Sequence, residues 1–161
     1  KSLKNLTKKV IMWVGKKMKK TVIAIAIPII VIVFSVCGLL ITKSANIKNI
    51  KRFNTQYEYY LGKTVYGTEV ATIINKIVNE NEKNNIPKDE NGQYIENDVN
   101  SIKLDIKMNT NGKTYPMEVI YNNDITKFVQ NFNLVSFKCN KIEYHKSSGY
   151  VSKIYFEEIV E

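Results

Sequence analysis

The chain is poor in the residues from which catalytic and metal sites are built. Its 161 residues include one histidine, His145, and two cysteines, Cys37 and Cys139. A zinc site usually needs histidine or cysteine ligands at short paired spacings, and no such spacing occurs here. Ser147 and Ser148 follow His145 closely, but the members of a catalytic triad meet in space from separated positions. The sequence therefore predicts no catalytic, cofactor-binding or metal-binding residues, and a protein that is not an enzyme.

A disulfide is not expected either. Cys37 lies in a long apolar run, whereas Cys139 lies in a predicted strand of the folded domain. Because these two places cannot meet, the domain has to be stable through packing alone.

Acidic residues are absent from residues 1–42. The formal net charge is +9, and eight of the 24 basic residues lie in residues 1–20, which leaves 16 basic beside 15 acidic residues. A nucleic-acid-binding protein usually carries its basic patch on the folded domain. Here the excess charge belongs to the leader, so no nucleic-acid partner is expected.

The longest uncharged stretch covers residues 21–42, beginning at Thr21 and ending at Thr42, and it is strongly apolar. As an α-helix it would be roughly 33 Å long, enough to cross a hydrocarbon core of about 30 Å. Pro28 falls in its first half, where a membrane helix tolerates proline. We therefore predict a transmembrane helix in contact with membrane lipid. A signal peptide that starts at Met18 and is cleaved after the run is the alternative.

The lysines on either side of this run predict its orientation. Residues 1–20 hold eight lysines, whereas residues 43–62, a stretch of the same length, hold four basic residues. Positively charged flanks stay in the cytoplasm, so we expect a cell-membrane protein with a cytoplasmic N-terminus and an outer C-terminal domain. Residues 1–20 are either a basic amphipathic helix on an anionic leaflet, with Trp13 at headgroup level, or a disordered tail that sets topology.

Beyond the run, the periodicity predicts a helical stalk over residues 43–62, with Gly62 as its stop, and an α+β domain over residues 63–161. A second helix is predicted from an N-cap at Thr68 to about Asn81. Its apolar stripe consists of Val70, Ile73, Ile74, Ile77 and Val78. The following polar residues predict an exposed loop. Oxygen-bearing side chains in residues 89–98 could attract calcium, although a solvated loop is the simpler interpretation.

From Ser101 on, apolar residues alternate, which predicts two β-hairpins. The first turns at residues 109–112 and returns as a strand up to Tyr121, with Pro116 at a sheet edge or a bulge. A short helix capped by Asp124 comes next. The second hairpin turns at residues 147–149. The predicted domain is a small antiparallel sheet packed against one or two helices.

One irregularity is expected in the second hairpin. The apolar parity slips at Asn140 and Lys141, which predicts a β-bulge at that point.

All ten tyrosines lie beyond the apolar run, more than a core of this size can bury with satisfied hydroxyls. Exposed tyrosines favour contacts with other proteins, so they predict an interaction surface. The residues chosen for it are Tyr57, Tyr60, Tyr94 and Tyr150. A low-GC coding bias, also visible in the many Asn, Lys and Ile residues, is the alternative explanation of this tyrosine content.

Together these features predict a single-pass protein of the bacterial cell envelope, whose extracytoplasmic domain docks onto a protein partner. The layout is similar in outline to bacterial type IV pilins and pseudopilins, which implies self-assembly through the apolar helix as the alternative. Two marks of that family differ here. Lys20 and Thr21 stand where a Gly-Phe-like processing junction would precede the run, and no glutamate follows in its first turns.

Overall fold

The first element is a single long helix, α1 (Ser2–Glu58). The computed structural model describes the backbone of residues 2–160, and the side chains of these residues except 2–6, 10, 14, 18–21, 23, 24, 26 and 40–45. The chain divides into two units, Lys1–Lys48 and Asn49–Glu161, and α1 contributes to both. The second unit therefore begins ahead of the boundary predicted at residue 63.

In the first unit, α1 exposes apolar residues on every side. All residues from 27 to 39 are exposed, and the helix continues through Pro28. The Ser35 hydroxyl donates to the Val31 carbonyl oxygen at 2.8 Å, so this polar group is satisfied within its own helix.

Across the described residues, no helix combines the length and the apolar character needed to cross a membrane. The transmembrane helix predicted over residues 21–42 is therefore unsupported here, although the backbone of that range is helical. The side chains of Thr21 and Thr42 lie outside the described ones.

The second unit is an α+β domain built on one five-stranded sheet, in the order β1-β4-β5-β2-β3. After α1, the described chain forms β1 (Thr64–Tyr66), α2 (Gly67–Lys83), β2 (Lys103–Met108), β3 (Lys113–Pro116), α3 (Met117–Asn122), α4 (Ile125–Phe132), β4 (Ser136–Tyr144) and β5 (Val151–Glu158).

The sheet is mixed, which corrects the prediction of an antiparallel one. The two predicted hairpins, β2–β3 and β4–β5, are antiparallel, and so is the pair β1–β4. Strands β2 and β5 are parallel, with Leu104 opposite Ile154 and Ile106 opposite Phe156. Apolar alternation decides which face of a strand is buried, but two hairpins can bury the same face in either relative direction.

The return strand of the first hairpin is shorter than predicted. Strand β3 ends at Pro116 and helix α3 begins at Met117, so a strand up to Tyr121 is wrong. Met117 and Tyr121 are four residues apart and also fit helical spacing, and a proline is tolerated where a helix begins because it lacks an N–H donor. Strand β3 lies at the edge of the sheet, as Pro116 predicted.

Helix α2 begins differently from the prediction. Tyr66 occupies the N-cap without a side-chain bond, so Thr68 is not the cap. A Cβ at Gly67 would lie 2.1 Å from the Phe132 carbonyl oxygen, so glycine is required by the close approach of α2 to the end of α4. The predicted apolar stripe is buried, and the helix ends at Lys83, near the expected position.

Two local predictions in the second half of the domain are confirmed. The Asp124 side chain accepts from the Thr126 N–H and caps α4. The register of β4 against β5 shifts between Cys139 and Lys141, where the bulge was predicted.

Burial alternates along the central strands, so the sheet has one buried and one partly exposed face. The core on the buried face contains Tyr57 of α1 and the apolar stripe of α2. We call the other side the open sheet face. It includes Asp105, Lys107, Lys138, Lys141, Glu143, Lys153, Tyr155 and Glu157.

Candidate functional site

Two buried asparagines join helices to the parallel pair of strands. Asn81 of α2 donates to the Ile102 carbonyl oxygen at 2.7 Å and accepts from the Ile102 N–H at 2.8 Å. Asn54 of α1 donates to the Gly149 carbonyl oxygen at 2.8 Å and accepts from the Val151 N–H at 3.0 Å. A side-chain amide offers one acceptor and one donor group, as a neighbouring strand does. We call these two arrangements the asparagine clamps.

The turn between β4 and β5 is hydrogen-bonded to the segment that precedes β2. The Ser147 and Ser148 hydroxyls donate to the carbonyl oxygens of residues 98 and 99. His145 Nε2 lies 2.7 Å from the Ser101 carbonyl oxygen. Because a carbonyl oxygen can only accept, Nε2 carries a proton and donates it to this oxygen.

A polar cleft of about 510 Å³ lies beside this junction. Its acidic and basic lining residues are Glu96, Asp98, Glu143, His145, Lys146 and Lys153. The cleft thus combines three carboxylates with two ammonium groups and one imidazole. In the described structure neither serine hydroxyl is bonded to the imidazole, so His145 and its neighbouring serines do not form the nucleophile–base pair of an acyl-transfer site.

The structure buries two of the four tyrosines chosen for an interaction surface. Tyr57 and Tyr94 expose 0% and 2% of their surface, so the exposure expected of them is wrong. Burial raises the pKa of Tyr57, and the charge of Glu80 raises it further. Burial, followed by the neighbouring Glu82 carboxylate, raises the pKa of Tyr94 to about 12. Both side chains are part of the hydrophobic core.

The other two tyrosines are half-buried. Tyr60 packs edge-on against Tyr59, with ring centroids 5.2 Å apart, and Tyr150 packs against Phe53 at 5.1 Å. Their part in an interaction surface stays a prediction. Tyr59 and Tyr66 are the more exposed candidates, at 59% and 57%. The signal for Tyr66 in the sequence was weak, because β1 has only three residues and was not predicted.

The open sheet face is centred on Tyr155. The ammonium groups of Lys141 and Lys153 lie 5.4 and 5.2 Å from its ring centroid, and its hydroxyl donates to Glu143 at 3.1 Å. A hydrogen bond from Lys141 lowers the pKa of Glu143. The ion pairs of this face are Lys107–Glu157 at 2.6 Å, Lys141–Glu143 at 2.6 Å and Lys153–Asp105 at 2.8 Å. The face therefore presents paired charges of both signs around one aromatic ring.

Sequence analysis also missed a buried carboxylate, Glu118, because α3 was predicted as a strand. Its Oε1 accepts from Lys103 Nζ at 3.1 Å and from the Tyr94 N–H at 3.2 Å. Its Oε2 is buried without a hydrogen-bond partner. These bonds hold α3 against the loop that precedes β2, so the role visible for Glu118 is structural.

In the loop of residues 89–98, the first carboxylate is hydrogen-bonded within the loop itself. Asp89 accepts from the N–H groups of Asn91 at 2.9 Å and Gln93 at 2.8 Å. Among the residues whose side chains are described, no three His, Cys, Asp or Glu residues are grouped to hold a metal ion.

Comparisons of the chain with protein-family models, with curated proteins and with solved structures found no match.

Proposed function

We propose that this chain is a non-enzymatic, single-pass protein of a bacterial cell envelope, whose domain docks onto a protein partner outside the membrane. Residues 21–42 anchor it in lipid, and residues 1–20 lie in the cytoplasm. The observation that carries the proposal is the uniform exposure of residues 27–39, which are mostly apolar, in a chain whose second unit buries its own apolar stripe. A helix that is apolar all round is stable in apolar surroundings.

The docking surface we propose is the open sheet face. Its residues are partly exposed around Tyr155, and the core cluster that includes residues of α1 and α2 lies on the opposite, buried side. Paired charges and an aromatic ring favour specific polar contacts over non-specific adhesion.

The two cysteines test the anchoring. Cys37 is exposed within the apolar stretch of α1, whereas Cys139 is buried and its burial raises its pKa to about 11. Only a thiolate reacts well with a water-soluble maleimide, and hydrocarbon keeps a thiol protonated. We expect neither thiol to react in native membranes and both to react after denaturation, as counted by intact mass. Labelling of Cys37 in native membranes would contradict the anchor.

Orientation is tested with single new cysteines in a Cys37→Ser background. Asn49→Cys should react with a membrane-impermeant maleimide on intact cells, whereas Ser2→Cys should react only after permeabilisation. The opposite pattern would place the domain in the cytoplasm.

Docking is tested by photo-crosslinking from two matched lysine positions. Lys141 lies on the open sheet face, and Lys76 is exposed on α2. A photoreactive residue at position 141 should give one discrete adduct with another protein in cells, and the same residue at position 76 should give none. Equal adducts from both positions would argue against this surface.

A self-assembling, pilin-like subunit is the second candidate. The observation in its favour is that α1 runs from the apolar stretch into the domain, where Phe53 and Tyr57 join the core. Surface shear of producing cells separates the two proposals. Recovery of the chain in sheared high-molecular-weight material would favour assembly, and full retention in the membrane fraction would favour the anchored docking domain.

A further inference from the structure

The basic leader is helical and presents both cations and apolar side chains to its surroundings. Helix α1 includes residues 7–17, and Ile11, Met12 and Trp13 are each more than 60% exposed. The side chains of Lys8, Lys9, Lys16 and Lys17 are exposed as well. A helical leader of this composition differs from a disordered tail that only sets topology.

The leader holds no carboxylate of its own. In the sequence, the first acidic residue is Glu58, so the first unit contains no acidic side chain. Neutralising anions for this concentration of lysines must come from outside the unit. A second leader would bring the same positive charge, so it does not complement this one.

Trp13 and Lys17 form a local pair that suits a lipid headgroup layer. The Lys17 ammonium lies 4.9 Å from the Trp13 ring centroid, one helical turn away. Tryptophan prefers the membrane interface because its ring is apolar and its N–H is polar, and a cation over the ring is compatible with a nearby phosphate.

We infer that residues 7–17 bind the headgroups of anionic phospholipids. This inference rests on the proposed anchoring of residues 21–42. Measured along the axis of a helix, Lys17 then lies about 6 Å from Thr21, the first residue of the apolar run, and Trp13 lies about 12 Å from it. Each headgroup layer is only about 5–7 Å thick, so Trp13 and Lys9 reach it when the leader inclines towards the surface. Gly15 lies between Trp13 and the run, where a glycine weakens a helix and eases such a bend. Each lysine near an anionic surface contributes about 1 kcal/mol.

Trp13 is the only tryptophan in the chain, so the fluorescence of the full-length protein reports on the leader alone. The protein is reconstituted into vesicles of phosphatidylcholine with or without phosphatidylglycerol. With phosphatidylglycerol, we expect a blue-shifted emission and a severalfold drop in quenching by acrylamide, both reversed by high salt. No difference between the two vesicles would overturn the inference and favour an acidic protein as the partner.

A matched pair of variants assigns the response. Replacing Lys8, Lys9 and Lys16 with glutamine should abolish the phosphatidylglycerol effect. Replacing Lys48, Lys51 and Arg52 with glutamine removes the same charge from the other flank and should leave the effect intact. A shift that persists in the first variant, or is lost only in the second, would overturn the assignment to the leader.

Flotation of the vesicles in carbonate separates this inference from the proposed function. A chain that fails to float with either vesicle contradicts the anchor itself. A chain that floats with both, while Trp13 is quenched equally in both, contradicts only the headgroup site.

Discussion

Residues 27–39 of α1 and helix α2 use the same aliphatic residues in opposite ways. Every residue in the first stretch is exposed, whereas α2 buries its valine and isoleucine stripe and exposes its polar side. The difference lies in the arrangement of polar residues, since α2 interrupts its aliphatic residues with Asn, Lys and Glu at helical spacing. Apolar content therefore does not define a core, and of these two segments only α2 contributes to the stability of the domain.

The largest expected effect comes from truncating one isoleucine in each helix. Ile74→Ala in α2 should lower the free energy of unfolding of the domain by about 2–5 kcal/mol, because Ile74 is fully buried. Ile30→Ala, in the exposed stretch, should change it by less than about 0.5 kcal/mol. Urea unfolding followed by tyrosine near-UV circular dichroism measures both. Similar losses in the two variants would mean that the stretch packs onto the domain.

The asparagine clamps extend the comparison to polar residues. Asn81→Ala leaves the buried N–H and carbonyl of Ile102 without partners, so we expect a loss of about 2–4 kcal/mol. Asn79→Ala, at an exposed position of the same helix, should be nearly neutral. Asn54→Ala against Asn49→Ala is the equivalent pair in α1. If Asn54→Ala were neutral too, the end of α1 would belong with the exposed stretch.

Alkaline pH should weaken the domain without affecting the exposed stretch. The pKa of Tyr94 is raised to about 12 from its usual 10.0. Because folding raises this pKa, Tyr94 contributes to the free energy of unfolding. That contribution is complete below pH 10 and is lost as the pH rises towards 12. Unfolding measured across this window should show falling stability, and Tyr94→Phe should flatten the slope. An unchanged slope in the variant would assign the effect to other groups.

The smallest effect is expected on the open sheet face. The pKa of Glu143 is lowered from 4.5, chiefly by the hydrogen bond from Lys141. The contribution of Glu143 to the stability of the domain is therefore present above pH 4.5 and is lost as the pH falls below it. The pair is exposed, so Glu143→Gln should cost about 0.5 kcal/mol or less at neutral pH. Glu90→Gln in the exposed loop is the control. Equal acid sensitivity in both variants would leave Glu143 without a distinct role.

The sequence predicted those parts of the fold in which a local pattern has one meaning. The stripe of α2, the cap at Asp124 and the bulge at Lys141 were all readable, because each depends on neighbours in the chain. Residues 117–121 were misassigned, since Met117 and Tyr121 satisfy both a strand and a helix once Pro116 has ended β3. The parallel pairing of β2 with β5 depends on contacts between distant segments, which alternation does not encode.

The candidate site was harder to predict than the fold. Counting tyrosines indicated that some are exposed but not which ones, and two of the four chosen are core residues. The asparagine clamps were missed because asparagine is typical of turns and loops. One signal was available, since Asn81 continues the stripe of α2 three and four residues after Val78 and Ile77.

The clamp at Asn54 also determines how the domain would carry a mechanical load. Along the chain, a pull transmitted by α1 would arrive first at β1, a three-residue strand at the edge of the sheet. Asn54 instead ties the helix to the start of β5, the middle strand. Tension on the helix is thus shared with a strand supported on both sides, and peeling of the sheet from its weakest edge is resisted.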